Sequence, residues 1–342
     1  MRLRRLLSLT VAAGAAAALA LVSPVVTAAG AESGAAGEPR PKPARLIIDT
    51  DIFSDVDDAG ALAVAHALAD AGQVKLLAVM VDTPSRWGAP AVDAVNTYYG
   101  RGDIPVGTLK PVDNSTFEKD YAQVLAKRFP NSLRDGARAP DAVRLYRQVL
   151  ARQPDHSVTI ASVGFLTNLA GLLDSGPDRY SRLSGKALVA EKVKELVVMG
   201  GTFPEGREWN FFNDVAATKK VVDEWPTEQV YSGFEVGVSI MTGARLDQVS
   251  RKNPVRRGYE IYVGPGNDRE SWDLTAVYYA IRGGDELFTE STEPGSVAVH
   301  ADGSNAWVPE PDRDQRYLTK VAPDETIARV LEDLMLRPPA RR

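Results

Sequence analysis

Cysteine does not occur anywhere in the 342 residues. Disulfides therefore contribute nothing, and stability must come from a large core, helped by a bound metal if one is held. Histidine occurs only three times, as His66, His156 and His300, and none of them stands in a recognisable motif. Excess positive charge is missing as well. The formal net charge is −5 and no basic stripe follows the first five residues, which argues against a nucleic-acid partner. No internal repeat is visible, and no second linker divides the chain after residue 44.

The one long apolar stretch lies at the start. Met1-Arg2-Leu3-Arg4-Arg5 is basic, LLSLTVAAGAAAALALV is apolar, and small-residue cleavage patterns follow at Val26-Thr27-Ala28 and Ala29-Gly30-Ala31. Residues 1–31 read as a secretory signal peptide, too short and Ala-rich for a lasting membrane anchor. A secreted protein is expected, exported by the general route, with Arg4-Arg5 also compatible with the twin-arginine route. Residues 32–44, small, polar and Pro-rich, read as a disordered lead-in. Residues 45–342 read as one folded domain.

Within that domain, apolar runs alternate with helical patterns. Leu46–Ile48, Val74–Val81, Ile104–Val106, Ser157–Val163 and Leu196–Met199 read as strands, with helices predicted over Val56–Leu68 and Ala89–Tyr99. The repeat of strand, turn and helix predicts an α/β fold: a single, mainly parallel open sheet flanked by helices. A small β-hairpin region is predicted over 296–321, turning at Ala301-Asp302-Gly303-Ser304, and an amphipathic closing helix over 324–336. Ligands of such sheets collect beyond the carboxyl ends of the strands.

One of those ends carries DTDIFSDVDD, residues 49–58, with five aspartates in ten positions. Carboxylates this dense, after a buried strand and at a helix start, make an all-oxygen site for a hard cation. Ca²⁺ suits it best, with Mg²⁺ taking fewer protein oxygens, and the lack of histidine and cysteine in the stretch disfavours zinc. It is not an EF-hand loop, because the glycine at its sixth position and the glutamate at its twelfth are missing. A phosphatase of the haloacid-dehalogenase type remains a second reading of Asp49-Thr50-Asp51. Phe53 stands where that type has Thr or Val, and Asp57-Asp58 would be left unexplained.

The stretch resembles the opening motif of the nucleoside hydrolases, Asp-x-Asp-x-x-x-Asp-Asp-Ala. Three further matches follow in the family's order: Gly164-Phe165-Leu166-Thr167-Asn168; Val198-Met199-Gly200-Gly201 with Arg207-Glu208-Trp209-Asn210; and Ser271-Trp272-Asp273-Leu274-Thr275-Ala276. The resemblance implies a nucleoside-hydrolase-like catalytic domain that cleaves the N-glycosidic bond of ribonucleosides with Ca²⁺. Asp51 would be a metal ligand and the general base toward a metal-bound water. Asp58, Asp273 and the Val163 carbonyl would complete the ligand set. Asp57, Glu208 and Asn210 would bind ribose hydroxyls, and Asp49 would orient the loop from behind.

Two departures stand out. Six steps separate Asp51 from Asp57, two more than in the family motif, so the loop must bulge, and Asp55 could replace a ligand. The Gly201–Glu208 segment is also short, and only Glu205 offers a stand-in for the asparagine the family places there. Many members carry a histidine acid where this chain has Trp272; the purine-specific branch has a tryptophan there. A purine-leaning enzyme is implied, with Trp272 stacking on the base and Tyr121 or Trp87 as a second aromatic partner. Asp82 and Ser85, after the second strand, fall where the family contacts substrate. Hydrolysis of another N-riboside and non-catalytic Ca²⁺-dependent sugar or nucleoside binding remain as alternatives. A homo-oligomer is compatible with the sequence.

Overall fold

The computed structural model describes residues 42–340 apart from 54, 116–118 and 311–312, so the expected signal peptide and the lead-in up to residue 41 lie outside the described residues. The continuous apolar runs become buried strands: β1 (Ala44–Thr50), β2 (Val74–Val81), β3 (Val106–Thr108), β4 (Val158–Ser162) and β5 (Val193–Met199). Helical crossovers join them, as parallel pairing requires. β6 (Glu205–Arg207) is short and β7 (Glu228–Ser232) is again central. The two-residue strands β8 (Met241–Thr242) and β9 (Arg269–Glu270) make a separate antiparallel ribbon. β10 (Phe288–Glu290), β11 (Gly295–Val299), β12 (Ser304–Pro309) and β13 (Gln315–Lys320) complete the set.

The main sheet runs β3-β2-β1-β4-β5-β7-β13-β11-β12-β6, with β10 alongside β13. Pairing is parallel from β3 through β13 and antiparallel beyond it. The α/β expectation holds, and the predicted C-terminal hairpin is β11–β12. The third strand forms two residues later than predicted. Pro105 has no N–H to give a ladder, and the Ile104 amide is already bonded to the Arg101 carbonyl in a turn.

Successive side chains on a strand face opposite ways, so β1 sends Leu46 and Ile48 into one core and Ile47 into the other. The first core lies under the helices Asp57–Asp70, Gly88–Tyr98, Tyr121–Arg128, Pro254–Tyr262, Trp272–Arg282 and Asp324–Met335. The second lies under Ala142–Leu150, Thr167–Asp174, Gly185–Lys192 and Val215–Glu224. Among the described residues, no helix is long and apolar enough to cross a membrane.

One helix pair decides where the chemistry sits. The Asp57–Asp70 helix is buried from Asp57 to Leu68 and carries small side chains: Ala59, Gly60, Ala61, Ala63, Ala65 and Ala67. It packs closely on the Trp272–Arg282 helix, because a Cβ at Gly60 would fall 2.6 Å from the Tyr259 hydroxyl and 2.9 Å from Leu274. The two helix starts are thereby brought together, and the Asp273 amide donates to Asp57 Oδ2 at 3.0 Å. Positive helix ends favour carboxylates there.

Candidate active site

Beyond the carboxyl ends of β1, β4 and β5 lies a cavity of about 320 Å³, within the usual range for small-molecule sites. Its acidic end is lined by Asp51, Asp57, Asp273 and Glu208, with Asn210 and Val163 beside them. Its mouth is lined by Trp209, Phe234, Tyr262, Trp272, Arg269 and Asp55.

Asp57, Asp58 and Asp273 are all buried, and each offers an oxygen within 4.8 Å of the others. Burial raises all three carboxyls well above the ordinary carboxylate range, and neighbouring carboxylates add to it, Asp55 foremost for Asp57, Asp51 for Asp58 and Asp57 for Asp273. Thr50 Oγ1 donates to Asp58 Oδ1, while Asp58 Oδ2 has no hydrogen-bond partner although it is buried. Three buried carboxylates with an orphaned oxygen fit a hard divalent ion, which would relieve both the desolvation and the repulsion.

The expected trio was Asp51, Asp58 and Asp273; the trio the structure closes is Asp57, Asp58 and Asp273, with Asp51 on the adjoining cavity wall. The helix starts at Asp57, which puts Asp57 and Asp58 together in its first turn. Asp51 remains near, and its charge acts on Asp58 more strongly than that of any other residue. Asp55, which the sequence offered as a replacement ligand, is paired with Arg269. It accepts both nitrogens of an Arg269 fork, Nε–Oδ1 at 3.0 Å and Nη2–Oδ2 at 2.6 Å.

Asp49 does not line the cavity. It is fully buried, and it accepts from Tyr146 Oη at 2.8 Å and Asn168 Nδ2 at 2.9 Å. Burial lifts its carboxyl to about 7 against the pull of those two bonds. A side chain enclosed in this way cannot be the attacking group that the dehalogenase-type reading required. Gly164 lets the β4 turn approach, because a Cβ there would meet the Asp51 amide nitrogen at 2.6 Å. The Val163 amide donates to the Asp49 carbonyl at 2.7 Å, and the Val163 carbonyl accepts weakly from Asn210 Nδ2 at 3.4 Å.

Glu208 caps the short helix Trp209–Asn213. Its Oε1 accepts from the Asn210 amide at 2.7 Å, and its Oε2 from the Gly201 and Phe211 amides at 3.1 Å each. Burial nevertheless pushes it up to about 7. Asn210 is fixed by bonds from its Nδ2 to the Met199 carbonyl and sulfur, both at 3.2 Å.

Trp272 lines the mouth, but its indole N–H is committed to the Phe234 carbonyl at 2.9 Å, and its ring stacks on Phe234 with centroids 5.5 Å apart. Tyr121 does not reach the cavity: it is fully buried against Tyr262 in the first core, because its helix turns that face inward. Trp87 packs on the same core beneath Lys127 and Arg86. The aromatic that stands beside Trp272 at the cavity is Phe234, a lone ring after β7 with no motif to mark it. Tyr262 and Arg269 were equally invisible. Asp82 is buried beside Asp49, Asp51 and Asp58, which raise its carboxyl further after burial, and it does not line the cavity. Ser85 turns back to the Trp87 amide at 3.2 Å. His66 bonds Asn96 Oδ1 at 2.8 Å and stacks on Tyr99, and His156 and His300 are exposed in turns.

Residues 46–328 match the family described as inosine-uridine preferring nucleoside hydrolase. Similar folds include a plant nucleoside hydrolase, at 19% identity over 86% of this chain and 100% of the other with a TM-score of 0.64. The inosine-uridine preferring nucleoside hydrolase of Bacillus anthracis has 20% identity over 85% and 99% of the two chains, with a TM-score of 0.62. An inosine-guanosine nucleoside hydrolase has 20% identity over 85% and 98%, with a TM-score of 0.61. No curated protein matches the sequence.

Proposed function

Because the chain belongs to the inosine-uridine preferring nucleoside hydrolase family, a nucleoside N-ribohydrolase, we propose that it is a secreted, Ca²⁺-dependent, purine-leaning member. The observation that carries this reading is the buried cluster of Asp57, Asp58 and Asp273, two of which, Asp57 and Asp273, line one cavity with Asp51, Glu208 and Asn210. Breaking a ribosyl–base bond passes through a sugar with oxocarbenium character. Buried carboxylates beside the ring stabilise that positive charge better than water does, because they need no reorganisation as it forms.

Asp57, Asp58 and Asp273, with the Val163 carbonyl, would hold the cation. When bound, Ca²⁺ supplies Lewis-acid activation of water and a fixed point for the ribose diol. Asp51, on the adjoining wall, takes the proton of the attacking water as general base. Glu208 is held by the backbone amides of Gly201, Asn210 and Phe211 at the cavity wall, where its carboxylate faces a ribose hydroxyl. Asn210, fixed from behind, presents the rest of its amide to the sugar.

Ribose release from inosine, guanosine, adenosine and uridine, with and without chelator, tests this function. Release that stops in chelator supports it, and no release from any of the four leaves a binding protein. Recovery of the protein from the culture medium, lost on deletion of residues 1–31, tests secretion.

A further inference from the structure

We propose that Arg269 reads the departing base and selects 6-oxopurines over 6-aminopurines. The proposal rests on the hydrolase reading and names the substrate class that this cavity takes. Arg269 is the sole cationic side chain lining the cavity among the described residues. It stands at the aromatic end, with its guanidinium carbon 5.5 Å from the centre of the Tyr262 ring and 5.1 Å from that of Trp272. Asp51, Asp57 and Asp273, the carboxylates that suit a sugar and a cation, line the same cavity.

Its position is held from three sides. The backbone is paired in the β8–β9 ribbon, Thr242 opposite Arg269. The guanidinium is forked on Asp55, from the longer loop, and Nη1 donates to Glu270 Oε2 at 2.7 Å. Those bonds occupy three of its five N–H groups and leave one on each terminal nitrogen. A guanidinium donates only, so the partner must offer acceptors. The N7 and O6 atoms of hypoxanthine and guanine are two adjacent acceptors, whereas adenine presents N7 beside an N6 donor. The first edge accepts both remaining N–H groups, and the second turns one of them against another donor.

The same contact meets the leaving group's need. As the C1′–N9 bond breaks, its electron pair passes to N9 and spreads to N7 and O6. Water supplies the new C1′–O bond and gives its proton to Asp51, while the purine anion is later protonated by solvent. Arg269 keeps its proton and strengthens its bonds to the base as negative charge grows, so the effect falls on kcat. No histidine lines the cavity, and the Trp272 N–H is spent on Phe234, so neither can take this part. The two unusual features of the chain, a longer metal loop and a tryptophan in place of a histidine, thus become one device: the loop's Asp55 anchors the cation that the missing acid makes necessary.

The experiment compares kcat/KM for inosine, guanosine and adenosine in the Ca²⁺-loaded full-length protein and in its Arg269→Gln and Arg269→Lys variants. Wild type is expected to prefer the two 6-oxopurine nucleosides. Both variants should lose about tenfold or more on them, mainly in kcat, with a smaller loss on adenosine, so that the preference collapses. Wild type that cleaves adenosine as well as inosine overturns the proposal without any variant. An equal loss on all three substrates overturns it too, by assigning Arg269 a structural role. Failure of the wild type to release ribose from any of them would instead strike the hydrolase reading beneath it.

Discussion

Asp51 and Asp58 share one buried site: Asp51 faces the cavity, and Asp58 keeps an oxygen with no donor to satisfy it. Replacing Asp51 with Asn removes the base and leaves a side chain of the same size. Turnover of inosine should fall roughly 10²- to 10⁴-fold with KM little changed, measured as ribose release under saturating Ca²⁺. A proportional rise in KM would assign Asp51 to binding instead. These residues were legible because they come in compact runs at strand ends, where a dense carboxylate cluster has few structural explanations. Arg269, Phe234 and Tyr262 were not, because each is a single side chain whose role arises from where distant segments meet. Tyr121 was misread for the converse reason: sequence shows an aromatic near acidic residues but not which way its helix faces.

At the level of elements, the Asp57–Asp70 and Trp272–Arg282 helices hold the site by their closeness. Gly60→Ala places a methyl 2.6 Å from the Tyr259 hydroxyl and 2.9 Å from Leu274, so those side chains must shift and the helix contact is strained. Stability should fall by about 1–3 kcal/mol, read from urea unfolding, and Ca²⁺ should bind more weakly because the contact that brings Asp57, Asp58 and Asp273 together is strained. A second element effect lies in the sheet, away from the cavity. Glu195 on β5 is opposite Glu228 on β7, and burial followed by the charges of Glu228 and Glu290 lifts Glu195 from 4.5 to about 7. Between those values the folded chain holds a proton that the unfolded chain has released, so stability falls as pH rises through the window. Glu195→Gln escapes that loss. Its stability relative to wild type should therefore rise by up to about 3 kcal/mol from pH 4 to pH 8, and a pH-independent difference would contradict the burial argument. The first five strands, the helices after β1 and β2, the C-terminal hairpin and the closing helix were readable from period and punctuation, to within a few residues where a proline interrupts the ladder, whereas β7 and the short strands were not.

Across the whole molecule, the parallel half of the sheet followed from the alternation of apolar runs and helices. The placement of β13 beside β7, and of β6 beyond β12, did not, because pairing between strands far apart in the chain leaves no local mark. The site draws on the same long-range closure, joining residues near 50 to Asp273. Loading the cation should therefore stabilise the entire fold, by about 2.7 kcal/mol at a hundredfold excess over its Kd, seen as a rise in melting temperature that Asp58→Asn reduces. The most direct test is Ca²⁺ added back to chelator-stripped protein, with bound metal and ribose release from inosine followed in the same samples. The expected result is a silent stripped protein whose turnover returns in step with one Ca²⁺ per chain. Full turnover by protein carrying no metal would contradict a shared cation at Asp57, Asp58 and Asp273.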